Sequence, residues 1–221
     1  MASQPFRQQD SAQIGEGISA PRRRSKKRET IIEAAKIVFF EDGYNGASMD
    51  RITAQAGVSK ATIYAHFSSK EEVLRAVVDA VIEPIASNYI AAVRKIERFE
   101  EGLFSLGHLI ARNAMLPDVI ALERLVTAEA LRFPELGALY MRHAVNSAFT
   151  LFRPQFEAAM DAGLLRRDDP MVVLQRFAQW CCTDVRQAVM LNQRPMPDDE
   201  EIARLAEDGV RAFLLGYSPR R

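Results

Sequence analysis

The strongest constraint on the fold lies in residues 49–67, where two helical turns of apolar side chains flank a glycine. The apolar positions follow one another at gaps of four, two, five and four residues: Ile52, Ala56, Val58, Ile63 and Phe67. A gap of four is about one helical turn, and Gly57 accepts the positive φ of a sharp turn. The spacing therefore predicts a helix-turn-helix that buries a small core of its own.

The outer face of the second predicted helix carries few bulky apolar side chains. It holds Lys60, Ala61, Thr62, Tyr64, Ala65 and His66. Small, hydroxylic and basic side chains suit the major groove of DNA, where a recognition helix contacts base edges. Ser48 and Ser59 precede the two helices at positions typical of N-caps.

Charge is unevenly distributed along the chain. The 221 residues include 29 basic and 29 acidic side chains, so the net charge is zero. Residues 1–19 sum to −1, residues 20–70 (ten bases, five acids) to +5, and residues 71–221 therefore to −4. The run Arg22–Arg28 contributes most of this excess. Such runs are often only solvated tails, but its place before the first helix suits the DNA backbone or minor groove.

From Thr30 onward the apolar spacing is helical, and no stretch alternates with period two for long enough to predict a strand. We therefore expect an all-α protein. Residues 1–21 are predicted to be a disordered tail, residues 22–69 a three-helix DNA-binding domain with a basic N-terminal arm, and residues 70–221 a helical ligand-binding and dimerisation domain. Asp42-Gly43 predicts the end of the first helix, and Pro84 predicts a break or kink.

Two further expectations concern location. The apolar runs are much shorter than the roughly 18 residues that span a bilayer, so no membrane partner is expected. The first ten residues lack the apolar stretch of a signal peptide, and we expect a cytoplasmic protein.

The stretch Ile31–Leu74 strongly resembles the DNA-binding domain of the TetR/AcrR family of transcriptional regulators. The pieces that match in register are Phe39, Gly43-Tyr44, Ile52, Ala56-Gly57-Val58-Ser59, Tyr64-x-His66-Phe67 and Ser69-Lys70-Glu71. Two positions depart from the family pattern: Thr53 stands where alanine is common, and Ile63 where leucine is frequent.

The resemblance implies a homodimer of all-helical subunits that binds a palindromic operator in double-stranded DNA and releases it when a small-molecule effector binds. Carried over by position, the residues that face DNA are Ser48, Ser59, Lys60, Ala61, Thr62, Tyr64, His66 and Lys70. Lys60 and Thr62 are expected near base edges; Ser48, Tyr64, His66 and Lys70 are expected at phosphates. The alternatives are that the two serines are caps only and that Tyr64 is partly core.

The body beyond residue 74 resembles the AefR-type C-terminal subgroup, through Leu122–Gly137 and through Gly163-Leu164-Leu165 before Asp168-Asp169-Pro170. Residues 170–192 predict one helix with two apolar stripes, and about 199–216 predict another. Together they could form the four-helix dimer interface of the family. Its predicted contacts are Leu174, Phe177, Cys181, Val185, Ile202, Leu205, Gly209 and Phe213. The alternative is that both are central helices of a monomer.

An effector pocket is expected among the middle helices. Candidate lining residues are Phe104, His108, Arg112, Met115, Glu123, Phe149, Phe152 and Trp180. Pockets of this kind are mostly apolar with a few polar groups, although Phe and Met at helical spacing are more simply core. His108 and Arg112 lie one turn apart and could orient a carboxylate or carbonyl, or form a surface pair.

No pattern predicts catalysis or a cofactor. The three histidines are too scattered for a metal site, and neither a nucleophile elbow nor a phosphate-binding loop occurs. Cys181 and Cys182 fit buried small hydrophobes better than a disulfide, although redox sensing stays open. The sequence therefore favours a ligand-responsive repressor, with an activator also compatible. The alternative from another class is a helical small-molecule enzyme or carrier that no longer uses its DNA-binding motif.

Overall fold

A computed structural model of the protein describes residues 26–93, 99–142 and 147–219, which form eleven α-helices and no strand. The helices are α1 Lys26–Gly46, α2 Met49–Ala56, α3 Lys60–His66, α4 Lys70–Val93, α5 Phe99–Ala114, α6 Pro117–Glu129, α7 Pro134–Tyr140, α8 Ser147–Asp161, α9 Pro170–Trp180, α10 Thr183–Met190 and α11 Asp199–Tyr217. The predicted all-α class is confirmed. The tail predicted for residues 1–21 and the basic residues 22–24 lie outside the described ranges.

The described residues fall into two compact units. The helix-turn-helix unit contains residues 26–84 and 121–142, and the body unit contains residues 85–93, 99–120 and 147–219. The division lies inside α4 and α6, whereas the sequence spacing places the domain boundary before α4, at residues 69–70. None of the described helices has the length and apolar content needed to cross a membrane.

In the helix-turn-helix unit, α1 packs on α2 and α2 on α3. The predicted apolar face of α1 is buried, including Ile32, Ala35, Val38 and Phe39. Ile52 and Ile63 are fully buried and Phe67 nearly so, as the spacing predicts. The helical path of α1 is interrupted at Gly43, where φ is 71° and ψ is 172°. The sequence places the helix end at this glycine, and helical geometry resumes for one short stretch after it.

Helix α11 is central to the body unit, because it packs against both α5 and α9, while α8 packs on α9. Three phenylalanines from different helices meet there. The ring centroids of Phe156 and Phe177 are 5.8 Å apart, those of Phe177 and Phe213 5.0 Å, and those of Phe156 and Phe213 6.1 Å. Edge-to-face packing of this kind stabilises a core beyond the area that it buries.

The single helix predicted for residues 170–192 is wrong, because the chain breaks it into α9 and α10 at Cys181-Cys182. The amide of Cys182 donates to the Gln179 carbonyl, so the last turn of α9 tightens to i→i−3 bonding before it ends. At this break the backbone lies against α11. A Cβ added to Gly209 would be 2.4 Å from the Trp180 carbonyl oxygen and 2.6 Å from the Cys181 Cα. The interruption is thus associated with a long-range backbone contact that periodicity does not reveal.

Prolines act at helix starts more than at breaks. Helices α6, α7 and α9 begin at Pro117, Pro134 and Pro170, where a missing amide proton is harmless. Pro84 and Pro154 lie inside α4 and α8. The chain therefore remains helical on both sides of Pro84, which does not end α4.

Candidate functional site

Two serine caps and a glycine turn fix the geometry of the helix-turn-helix. The hydroxyl of Ser48 accepts a hydrogen bond from the Arg51 amide at 3.2 Å and caps α2. The hydroxyl of Ser59 accepts from the Thr62 amide at 3.1 Å and caps α3. Between them Gly57 has φ 62° and ψ 32°, the left-handed conformation predicted for the turn. Both serines are therefore structural caps, which leaves their DNA contacts a prediction.

The structure brings the predicted DNA-facing residues of α3 together on one surface. Lys60, Ala61, Tyr64 and Ala65 are exposed, and Thr62 and His66 are half-buried. Ile63 is fully buried and Phe67 is 1% exposed, so the inner face alone holds the helix. Tyr64 is 53% exposed, far more than a core tyrosine shows. The outer face of α3 is therefore accessible to a partner as large as double-stranded DNA.

Two polar contacts involve side chains on the outer face of α3. The ammonium of Lys60 lies 2.7 Å from Oδ1 of Asp50, and both side chains are exposed. The hydrogen bond to Asp50 raises the pKa of Lys60, so the ammonium stays charged. The hydroxyls of Ser59 and Thr62 lie 2.8 Å apart at the exposed start of α3. Because solvent screens an exposed ion pair, Lys60 can exchange Asp50 for a phosphate or a base edge.

Lys70 is already engaged within the protein. Its Nζ donates to the carbonyl oxygens of Tyr44 at 2.8 Å and Ala47 at 3.0 Å, and lies 4.4 Å from the centroid of the Tyr44 ring. These contacts tie the start of α4 to the end of α1. These bonds give Lys70 a structural role, and its contact with a phosphate stays a prediction.

A cluster that sequence reasoning missed surrounds Tyr44, in the last turn of α1. The phenol of Tyr44 donates to Oε1 of Glu71 at 2.9 Å, and its ring packs edge-on against Phe133 at 4.8 Å. Burial, followed by the hydrogen bond to Glu71, raises the pKa of Tyr44, so the phenol remains a donor. Oε1 of Glu129 accepts from the Asn45 amide at 3.2 Å. The cluster explains why residues 121–142 belong to the helix-turn-helix unit.

Only the end of the basic run is described. Lys26 and Lys27 are exposed at the start of α1. The guanidinium of Arg28 instead lies over the Phe67 ring, 4.8 Å from its centroid. This cation–π contact gives Arg28 a packing role.

The predicted effector residues occupy different environments. Those on the outer side of α5, Phe104, His108 and Arg112, are exposed, as is Trp180 on α9. Met115 and Phe152 are buried, whereas Glu123 and Phe149 are half-buried. Glu123 belongs to the helix-turn-helix unit and the other seven to the body unit. The exposure of His108 and Arg112 favours the surface-pair alternative over a buried ligand clamp.

Most predicted dimer residues are core residues of one protomer. Leu174, Phe177, Cys181, Ile202, Gly209 and Phe213 are buried, and Val185 and Leu205 are half-buried. Six of the eight therefore offer no surface to a partner. Apolar residues exposed on the same helices and in the segment between α10 and α11 include Trp180, Leu191, Met196, Ala212 and Leu215.

The two cysteines are not reactive thiols, and the described His, Cys, Asp and Glu side chains do not form a metal site. Cys181 and Cys182 are free and buried. Burial raises the pKa of Cys181 to about 12 and that of Cys182 to about 11, so neither forms a reactive thiolate near neutral pH. Among the described residues, no cluster of three or more His, Cys, Asp or Glu could hold a metal ion.

Comparison with known proteins identifies the family from both the N-terminal and the C-terminal part of the chain. Residues 31–77 match the tetR family of bacterial regulatory proteins, and residues 101–219 match the C-terminal domain of AefR-like transcriptional repressors. The transcriptional regulator UidR of Escherichia coli K12 is 28% identical over 196 residues, which cover 86% of this chain and 91% of UidR.

Two solved structures support the same assignment. A TetR-family regulator from Mesorhizobium loti has a TM-score of 0.77 and 26% identity, over 90% of this chain and 100% of that one. The flavonoid-responsive regulator FrrA has a TM-score of 0.67 and 28% identity, with the same coverage. The chain thus belongs to the TetR family of transcriptional regulators, with an AefR-like C-terminal domain.

Proposed function

We propose that this protein is a one-component transcriptional repressor that binds a palindromic operator as a homodimer and releases it when a small-molecule effector occupies the body unit. The observation that carries the proposal is the outer face of α3. Lys60 and Tyr64 are exposed there, while Ile63 and Phe67 anchor the helix from behind. This is the arrangement in which a recognition helix enters the major groove.

The proposed DNA contacts are of two kinds: those to base edges, which read the sequence, and those to phosphates, which position the protein. Thr62 and Lys60, at the start of α3, read base edges, because the first residues of a recognition helix reach deepest into the groove. Tyr64, His66 and the capped N-terminus of α2 at Ser48 hold phosphates. Lys70 is left out of this set, since its ammonium is bonded to two carbonyls.

The homodimer uses the exposed apolar side chains of the last helices. Trp180 is 44% exposed and Leu215 is 88% exposed. Ala212, which lies between them in the sequence, is also exposed. The Trp180 ring lies against Gly216, whose added Cβ would be 3.2 Å from the ring edge. A tryptophan and a leucine beside small residues form the kind of surface that a second subunit covers. The dimer must set the two α3 helices about 34–36 Å apart.

The effector is proposed to be largely apolar and aromatic. The relative FrrA, which is 28% identical to this chain, is described as flavonoid-responsive, and this supports an aromatic effector. Effector binding and operator binding oppose each other through a reciprocal coupling free energy.

The test is to recover genomic DNA fragments retained by the purified protein and to footprint them. We expect one palindromic sequence, protected by a dimer. Thr62→Ala should change the preferred base at one position of each half-site, whereas Thr127→Ala, an exposed threonine on α6, should leave the preference unchanged.

Three outcomes contradict parts of the proposal. The enzyme or carrier alternative would stand if no sequence were retained. A monomeric mass at micromolar concentration, unaffected by Leu215→Glu, would refute the dimer. Transcription that rises when the protein occupies its operator would make it an activator.

A further inference from the structure

One ion pair joins the two helices of the helix-turn-helix on its exposed side. Asp50 lies in the first turn of α2, and Lys60 is the first residue of α3. Nζ of Lys60 lies 2.7 Å from Oδ1 of Asp50, and the two side chains are 67% and 66% exposed. An exposed pair of this kind contributes little to stability, because water and salt screen it. The pair therefore matters more for the charge of this surface than for the fold.

The neighbouring cation of α2 binds a different helix. Arg51 follows Asp50, but its guanidinium lies 3.0 Å from Oε2 of Glu41 and 2.7 Å from Oδ2 of Asp42, both in α1. Adjacent residues of α2 thus contact different elements, since Arg51 pairs with α1 and Asp50 with the first residue of α3. Asp50 therefore acts on the charge of α3 and not on that of its own neighbour.

The pair changes which part of DNA Lys60 can bind. A free ammonium is attracted to any phosphate and releases counterions whatever the base sequence. An ammonium paired with a carboxylate forms a unit without net charge, so this attraction is largely cancelled. The ammonium still has hydrogen-bond donors, because it carries three and Asp50 accepts one of them. Two donors therefore remain for acceptors on a base edge.

Guanine presents the acceptors that these donors fit. In the major groove it offers two, N7 and O6, whereas adenine and cytosine each place an N–H donor there and thymine offers one acceptor beside a methyl group. Lys60 begins α3, and the first residues of a recognition helix reach base edges. The paired lysine thus favours guanine over the other bases and over phosphates.

We propose that Asp50 is a positioning residue for sequence recognition: through its ion pair it directs Lys60 to a guanine of the operator and restrains it from binding phosphates without regard to sequence. The inference rests on the proposed operator-binding function. It adds the base that Lys60 reads and a residue that sets specificity through another residue.

The experiment compares binding of the full-length protein to the footprinted operator and to a duplex of the same length and random sequence. Affinity is measured by fluorescence anisotropy over a range of NaCl concentrations. In Asp50→Asn, which has nearly the same volume, binding to the random duplex should tighten. Its salt slope should steepen by about one unit for each Lys60 that is released. The preference for the operator should fall about tenfold.

Two variants control for charge and for shape. Glu33→Gln also removes an exposed carboxylate that lies 2.7 Å from a lysine ammonium, that of Lys36 on α1. It should keep the wild-type salt slope and operator preference. Asp50→Glu keeps the charge and should restore the wild-type slope. The Tm of Asp50→Asn should be close to that of wild type, because the pair is exposed.

A double variant shows whether Asp50 acts through the lysine. When Lys60 is already replaced, as in Lys60→Met, the further change Asp50→Asn should leave the salt slope as it is. An effect that persists would show that Asp50 repels DNA directly and would overturn the inference. Equal slopes and equal operator preference in wild type and Asp50→Asn would overturn it as well.

The base is tested on the DNA, which keeps the test decisive if Asp50→Asn fails to fold. Each guanine of the operator is replaced in turn by 7-deazaguanine, which lacks the N7 acceptor. Wild-type protein should bind about tenfold more weakly when one particular guanine of each half-site is replaced. If every substituted operator binds as tightly as the original, Lys60 does not read guanine and the inference is wrong.

These outcomes are separate from failure of the proposed function. A protein that retains no genomic sequence would lose the repressor proposal, yet the random duplex would still report whether Asp50 restrains Lys60. Conversely, an operator-binding protein whose salt slope ignores Asp50→Asn would keep the repressor proposal and lose this inference.

Discussion

Gly209 sets how closely α11 approaches the break between α9 and α10, and its replacement by alanine tests this packing directly. The added Cβ would lie 2.4 Å from the Trp180 carbonyl oxygen and 2.6 Å from the Cys181 Cα. Both are backbone atoms, which no side-chain rotation can move away. Ordinary van der Waals contact begins at 3.4 Å, so α11 would have to shift by about 1 Å to relieve the contact at 2.4 Å.

The expected magnitude follows from two opposing terms. Alanine is favoured over glycine in a helix by about 1 kcal/mol. Overpacking a core costs about 1–3 kcal/mol, and a backbone clash belongs at the upper end. We therefore expect Gly209→Ala to destabilise the protein by about 2 kcal/mol, which lowers the Tm by about 4–8 °C for a chain of this size.

Two other glycines of the body unit, Gly107 and Gly216, provide matched controls. Gly107→Ala places a Cβ 2.6 Å from Cγ2 of Val210 and 3.2 Å from Sγ of Cys181, which are side-chain atoms. Gly216→Ala meets only the rim of the Trp180 ring at 3.2 Å. Thermal unfolding followed by circular dichroism should rank Gly216→Ala at or above wild type, then Gly107→Ala, then Gly209→Ala. Repeating the series at several protein concentrations separates effects on the dimer.

A Gly209→Ala protein as stable as wild type would refute the reasoning. It would show that α11 does not lie against the Trp180 carbonyl in solution. The inferred association between this contact and the break at Cys181-Cys182 would then be refuted as well.

Three further predictions concern the other contacts. Glu129→Gln weakens a charge-assisted bond to the end of α1 and should lower stability by about 1 kcal/mol in urea unfolding; no change would show the bond to be dispensable. Lys70→Met should destabilise the fold yet leave the salt dependence of DNA binding unchanged, and a slope flatter by about one unit would restore its phosphate role. Because burial raises the thiol pKa of Cys181 to about 12 and of Cys182 to about 11, iodoacetamide should label them at neutral pH only after unfolding; rapid labelling of native protein would contradict this.

The local part of the architecture could be read from the sequence. The spacing around Gly57 predicts the helix-turn-helix, and the left-handed φ of 62° at that glycine confirms the turn. The caps at Ser48 and Ser59 follow from the same short stretch. These features depend on neighbours within four or five residues, and so a local pattern contains them.

The remaining features depend on residues far apart in the chain. Lys70 binds carbonyls 23 and 26 residues earlier, and Glu129 binds an amide 84 residues earlier. The two apolar stripes of residues 170–192 correctly indicate heavy burial. They cannot show that α5, α8 and α11 of the same chain cover Leu174 and Phe177, because a stripe does not name its partner.

The Tyr44 cluster has a practical consequence for chimeric biosensors, in which one regulator's operator specificity is joined to another's sensing domain. A graft that ends at residue 69 would leave Tyr44 and Asn45 without Phe133 and Glu129, which contact them from α6 and the start of α7. A transplant of this operator-reading module should therefore carry residues 121–142 together with residues 26–84, as two segments. The module that can be exchanged is discontinuous in the gene even though it is contiguous in space.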